Sequence, residues 1–178
     1  MKATFIPLLI VFLMYQFAVG QLVFIYEDNN DSVQVVGTWK SVNYDDCHAG
    51  SALYTRKGDG SAWVKWTVDI EYPGMYQIET YFRNYKYGKD THWTVNTVDS
   101  DTTVYVDGYY NPGWQPLGEF NLSTKTYVCV TDYFESDSGD YVYADAIRFT
   151  SMMPLYSISG SVELDGENQM ADALITLT

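Results

Sequence analysis

An all-β chain folded as a two-layer antiparallel sandwich is what this sequence predicts, on three observations. Apolar and polar residues alternate with period two through most of its length. Clusters of Gly, Pro, Asn, Asp and Ser interrupt that alternation about every 8 to 12 residues. No stretch after the first 20 residues carries a helical repeat. A closed barrel has the same local pattern, so periodicity leaves that alternative open.

Residues 1–20 stand apart from this scheme. Lys2 precedes the apolar run Phe5 to Tyr15, and Ala18-Val19-Gly20 places small residues where a signal peptidase reads. The run is short for a membrane span and has no stop-transfer flank. The expectation is a secretory signal cut before Gln21, a secreted or cell-surface protein, and no membrane insertion after cleavage. About 158 residues then remain, enough for one domain with a sizeable core and a little extra.

Leu22 to Tyr26 reads as the opening strand, and the acidic turn Glu27 to Asp31 follows. Val33 to Trp39 is a second extended piece, broken at Gly37. Residues 43–51 read as a polar loop leading to a short strand, Ala52 to Thr55. After the turn Lys57-Gly58-Asp59-Gly60, the residues Ala62, Val64, Trp66 and Val68 point to one side while Trp63, Lys65 and Thr67 point to the other. Tyr72-Pro73-Gly74 turns the chain into Met75 to Phe82, with Tyr76, Ile78, Thr80 and Phe82 inward and Gln77, Glu79 and Tyr81 outward. A tyrosine-rich loop, Asn84 to Asp90, precedes the strand His92 to Thr97. Asp99-Ser100-Asp101 leads to Thr102 to Asp107, with Val104 and Val106 inward. The aromatic loop Gly108 to Gly113 precedes the strands Trp114 to Phe120 and Lys125 to Thr131. Past the turn Ser136 to Asp140, Tyr141 to Phe149 reads as one continuous strand.

In that last strand alternation puts Asp145 on one face with Tyr143, Ile147 and Phe149, while Val142, Ala144, Ala146 and Arg148 take the other. A carboxylate directed into a core needs partners. Two readings stand open: a structural Asp tied to loop amides, or a ligand of a structural calcium ion. For calcium, Glu27, Asp28, Asn29 and Asp31 offer hard oxygen donors in one turn, and the metal set read here is Asp145 with Asp28 and Glu27. No EF-hand loop or nonapeptide repeat accompanies them, and no other cofactor is expected.

Beyond Ser151 the character shifts. Met152-Met153-Pro154 reads as a linker, and residues 153–178 as that linker and the first strands of a further domain, with a strand at Ile158 to Leu164, a turn Asp165 to Asn168, and a strand at Ala173 to Thr178. Two such strands cannot bury a core of their own, which suggests the start of a second module in a larger multidomain protein.

Several stretches, taken together, carry a resemblance. They are Val35-Val36-Gly37-Thr38-Trp39, Gly58-Asp59-Gly60-Ser61-Ala62 leading into Val64-Lys65-Trp66-Thr67, Pro73-Gly74-Met75-Tyr76, Trp114-Gln115-Pro116-Leu117-Gly118-Glu119-Phe120, and Ala144-Asp145-Ala146-Ile147-Arg148-Phe149. In this order and spacing they resemble the golvesin/Xly carbohydrate-binding-like domain, a bacterial β-sandwich module appended to secreted lyases, amidases and peptidases. The resemblance covers roughly Phe24 to Ser151. It implies a jelly-roll, galactose-binding-like sandwich over residues 21–152 and a non-catalytic accessory role, with polysaccharide or cell-wall glycan as ligand. The chain departs from that pattern in its wealth of tyrosine and in carrying Cys47 and Cys129. Separately, Ile158 to Val162 with Ala173 to Thr178 looks like the start of a carboxypeptidase-regulatory-like domain, another small secreted β-sandwich.

Composition bears on function independently. The formal charge of −13, which becomes −14 once the leader's single charge at Lys2 is removed, repels phosphate backbones and argues against nucleic acid and anionic membrane as partners. The two cysteines have no zinc-site spacing. An exported chain favours their oxidation to a disulfide, whereas inward Val128 and Val130 turn Cys129 outward, and the pairing stays open. His48 and His92 lie in no nucleophile or metal motif, which leaves catalysis without a candidate.

Aromatics make up 17% of the chain, with 17 Tyr and 5 Trp, more than one core needs. A pyranose presents an apolar C–H face to a flat ring. The outward and loop rings Trp114, Tyr109, Tyr110, Tyr85, Tyr87, Trp63 and Tyr81 are therefore the candidate ligand-binding set, and Trp66 and Trp39 are assigned to the core. The alternative is a structural or adhesive spacer of a cell-surface protein, in which these rings pack against one another.

Overall fold

The computed structural model describes residues 17–137, 139–153 and 155–158. Its strands are β1 (Phe17–Gly20), β2 (Val23–Glu27), β3 (Val33–Val36), β4 (Lys40–Asn43), β5 (Ser51–Arg56), β6 (Trp63–Asp69) and β7 (Gly74–Phe82). There follow β8 (Thr91–Asn96), β9 (Asp101–Val106), β10 (Gly113–Leu122), β11 (Lys125–Phe134), β12 (Tyr141–Ala144), β13 (Ala146–Ser151) and β14 (Leu155–Ile158). The described residues contain no α-helix, and a single 3-10 turn at His48–Gly50.

Gly20–Leu155 make up one compact unit. Within it a four-stranded sheet runs β10-β7-β13-β2 and a five-stranded sheet runs β3-β6-β11-β8-β9. A third sheet, β12-β5-β4, has three strands, and every pairing in the three is antiparallel. Outside these sheets, β1 and β14 pair with each other. Thus Phe17–Gly20, within the stretch read as a leader, is strand. The rest of the leader and the carboxypeptidase-regulatory-like stretch beyond Ile158 lie outside the described residues.

The core sits where alternation places it. Tyr76, Ile78 and Phe82 of β7, with Ile147 and Phe149 of β13, meet Trp66 of β6, Trp93 of β8 and Val128 and Val130 of β11 in one cluster. Phe82 sets its ring edge-on to Trp93 at 6.4 Å, which ties the two large sheets together. Trp66 finds a partner for its indole N–H in the Glu27 carbonyl at 3.2 Å. Each such side chain contributes about 1.5–3 kcal/mol of burial free energy, and the sandwich follows from that.

One expectation is corrected, one strand is added, and the open question of the cysteines is answered. The stretch Tyr141 to Phe149 is not one strand: it breaks at Asp145, with β12 pairing β5 in the small sheet and β13 lying between β7 and β2 in the four-stranded one. Because the chain crosses between sheets here, both its faces are covered, and Val142, Ala144 and Ala146 are buried along with Asp145. Second, Lys40–Asn43 is a strand that its polar sequence did not announce. Third, Cys47 and Cys129 are both free. Cys47 lies in the core with its sulfur 2.9 Å from the Tyr143 hydroxyl, whereas Cys129 faces outward on β11.

Two local features follow from residue type. Pro116 lies on β10, the edge strand of its sheet, where the register shifts between Pro116 and Gly118, so its missing N–H breaks no interior ladder. Gly37 ends β3 with φ +86, and a Cβ there would stand 2.3 Å from Ala62 Cβ. Gly50 has φ +84 but nothing within 4 Å of that position. Gly50→Ala is therefore expected to cost about 1 kcal/mol for the left-handed backbone alone, and Gly37→Ala about 3 kcal/mol because β3 must also move from β6. Urea unfolding of the two variants side by side checks the difference.

Candidate functional site

The small sheet forms one wall of a cleft. Its register aligns Tyr143 with Tyr54 and Tyr54 with Lys40, Tyr141 with Arg56, and Ala52 with Val42. Side chains two residues apart share a face, so Lys40, Val42, Tyr54, Arg56, Tyr141 and Tyr143 all stand on one side. The segment after β7 folds over this face. Tyr87 bridges to Tyr141 in parallel sense, and the Gly88 N–H donates to the Tyr141 carbonyl at 2.8 Å.

The result is a cleft of about 160 Å³ whose walls are almost entirely tyrosine. Tyr87 stacks on Tyr143 at 4.4 Å, Tyr54 meets Tyr141 edge-on at 5.5 Å, and Tyr85 tilts against Tyr87 at 5.4 Å. Tyr44 at 48% and Tyr85 at 44% exposure form the open rim. Between them runs Arg83, its Cζ 3.8 Å from the centre of the Tyr44 ring and its Nε donating to Asp46 Oδ1 at 2.9 Å. Burial pushes the Tyr87 and Tyr143 hydroxyls well above the ordinary phenol range, so both stay protonated. Such a cleft offers flat apolar faces ringed by hydroxyl donors and one guanidinium.

The expected site residues divide between this cleft and other places. Tyr85 and Tyr87 line it. Tyr109 and Tyr110 sit beside it, because Lys86 bridges to Tyr109 and the Tyr110 N–H donates to the Tyr85 carbonyl at 3.0 Å. Trp114 and Tyr81 face each other across β10 and β7 at 5.3 Å, in a separate cluster on the outer face of the four-stranded sheet. There the His48 ring packs on both, at 5.0 and 5.3 Å, and the Arg148 guanidinium covers Trp114 at 4.4 Å. Arg148 is itself paired to Glu79 at 2.6 Å. Trp63 stands on the outer face of β6 with Lys65 Nζ 4.8 Å from its ring centre.

Sequence reading missed Tyr44, Tyr54, Arg83, Tyr141 and Tyr143. The signal for them is cross-strand register, which no local window contains.

The acids read as metal ligands lie near one another. Asp145 Oδ2 accepts the His48 backbone N–H at 3.0 Å, His48 Nδ1 is 2.8 Å from Glu27 Oε1, and Ser51 donates to Asp28 Oδ1 at 2.9 Å. The amide reading of Asp145 is thus on view. Burial, aided by the Asp28 and Glu27 charges, pushes the Asp145 carboxyl up to about 8, with the His48 N–H opposing. Asp145 Oδ1 and Glu27 Oε2 are buried without hydrogen-bond partners. Those two free oxygens fit a hard cation, although the described residues contain no group of three His, Cys, Asp or Glu side chains set to hold a metal ion.

The family model of the Golvesin C-terminal domain matches residues 24–151. Among solved structures, a Paenibacillus xanthan lyase is similar at 22% identity and TM-score 0.64, over 74% of this chain and 13% of that one. A family 35 carbohydrate-binding module from Clostridium thermocellum is similar at 12% identity and TM-score 0.53, over 72% of this chain and 98% of the module. The family 35 module of Cellvibrio japonicus Abf62 is similar at 14% identity and TM-score 0.51, over 78% of this chain and all of the module. At these identities the likeness is one of fold, that of a carbohydrate-binding module. No curated protein matches the chain. No helix among the described residues is long and apolar enough to cross a membrane.

Proposed function

This chain belongs to the Golvesin C-terminal domain family, and from that premise we propose that it is a secreted, non-catalytic module that binds polysaccharide or cell-wall glycan as an accessory to a larger protein. The observation that carries this reading is the tyrosine cleft. Rings that only filled a core would be sealed, but Tyr44 and Tyr85 stand open to water at the rim of a concave site with an arginine at its centre. Flat rings beside hydroxyl and guanidinium donors suit a sugar's two-sided chemistry.

Retention of the purified chain on insoluble and immobilised glycans tests it. Tyr85→Ala removes an exposed stacking face and is expected to weaken retention about tenfold with little loss of stability. Trp114→Ala is expected to matter less for binding, since Arg148 and His48 already cover that ring. No retention on any of a broad glycan panel sinks the reading.

One observation favours the spacer alternative: two outward aromatic groups are self-satisfied. Trp114, Tyr81 and His48 form one, and His92 with Tyr105 and Tyr133, each at 4.7 Å, forms the other. A spacer needs no open ring, so the Tyr85→Ala comparison also separates the two readings. Within the first reading, the unpartnered Asp145 Oδ1 and Glu27 Oε2 are the oxygens that a structural calcium beside Asp28 would use.

A further inference from the structure

The tyrosine cleft does not end at its own walls. A second cleft, lined by Lys40 and Arg56, shares Tyr54 and Tyr141 with it, and a third, lined by Lys57 and Asp140, shares Arg56 and Tyr141 with the second. Sheet register sets the three side by side along one face, since Lys40 pairs with Tyr54 and Arg56 with Tyr141 across the strands.

Charge along this groove runs against the rest of the molecule. The chain holds 23 Asp+Glu and only 10 Lys+Arg. Yet Lys40, Arg56, Lys57 and Arg83 all line the groove, and Asp140 is the acid among its described lining residues. Arg83 is occupied by Asp46, and Lys57 by the Glu135 and Ser136 carbonyls at 3.4 and 3.0 Å. Lys40 and Arg56 are exposed and make no ion pair among the described residues. Lys65, Lys86, Lys89 and Lys125 likewise make no ion pair among the described residues, but Lys40 and Arg56 stand together in one cleft beside Tyr54 and Tyr141, with the Arg56 Cζ 6.0 Å from the centre of the Tyr141 ring.

We propose that the groove takes an acidic polysaccharide, whose carboxylate or sulfate groups pair with Lys40 and Arg56 while Tyr54, Tyr85 and Tyr141 hold the apolar faces of its rings. This rests on the reading of the tyrosine cleft as the glycan site. The net charge of −13 does not forbid it. At physiological salt the Debye length is about 8 Å, so distant carboxylates are screened while contacts inside the groove are not. The planar fork of Arg56 matches a carboxylate or sulfate with two parallel hydrogen bonds. A nucleic acid strand would demand a longer track of cations than two free ones.

The test sets the purified full chain against a polyuronate, the same polymer with its carboxyl groups reduced to alcohols, a sulfated form of the reduced polymer, and single-stranded DNA, by affinity electrophoresis. The acidic polysaccharides are expected to bind about tenfold more tightly than the reduced polymer, and the stronger of the two identifies the anion. The double variant Lys40→Ala/Arg56→Ala, at exposed positions, is expected to keep the melting temperature and drop to the reduced polymer's level. Arg56→Lys restores part of the loss. Equal binding of reduced and acidic polymers, unmoved by the double variant, overturns this inference and leaves the carbohydrate reading standing. Binding of none overturns both, and a preference for the DNA strand overturns this one by naming a different ligand.

Discussion

Tyr143→Ala is expected to lower stability by about 3–5 kcal/mol and to abolish glycan retention, the largest single effect the structure suggests. Its ring is fully buried, stacked on Tyr87 at 4.4 Å and tilted against Phe82 at 6.4 Å. Truncation leaves a cavity where the cleft floor meets the core of the sandwich. Tyr87 then loses the ring beneath it, so the wall of the cleft goes with the stability. Tyr143→Phe separates the two consequences. It keeps the stack and removes the hydroxyl, with its contacts to Cys47, Asp145 and Tyr87, at a cost of about 1–2 kcal/mol, and is expected to leave retention near that of the parent. Urea unfolding and glycan retention on the two variants read both effects.

The second large effect is a dependence of stability on pH that runs opposite to that of most proteins. Asp145 holds its proton up to about pH 8 in the folded chain, against an ordinary value of 3.8. Below the ordinary value both folded and unfolded forms carry that proton and the group changes nothing. Between there and about 8 the folded form keeps a proton that the unfolded form has released, so stability is lost progressively as pH rises through this window. Burial raises the Asp28 carboxyl as well, which adds to the same trend. The melting temperature is expected to fall by roughly 5 °C or more between pH 5 and pH 8, and Asp145→Asn is expected to flatten that slope. A divalent cation favours the ionised carboxylate. Millimolar calcium is therefore expected to restore the melting temperature at pH 8 and to do little at pH 5, with EDTA reversing the gain. A flat profile in the parent chain would remove Asp145 from this role.

What was legible beforehand and what was not follow one physical line. Strands covered on one face announce themselves, so β6 and β7 were readable down to each inward residue, from Val64 and Trp66 to Ile78 and Phe82. Lys40–Asn43 was silent because its single apolar residue, Val42, shows no alternation. The break at Asp145 was silent too, for it has neither glycine nor proline and is imposed by pairing to two different sheets. Loop rings such as Tyr85 and Tyr109 were found because an aromatic excess in a turn is visible locally. Tyr54 and Tyr143 were not: they become neighbours only through the register of β5 and β12, which lie far apart in the chain. Fold resides largely in local pattern, whereas this cleft resides in long-range pairing.

The irregular step at Pro116 has a meaning for crowding. Where copies of such a module meet, straight outermost strands would zip together through their free amides. With proline in the run and its spacing interrupted, β10 presents no uniform row of donors. The break works against edge-to-edge pairing of side-by-side copies, whereas an outer strand lacking that kink would offer them a template.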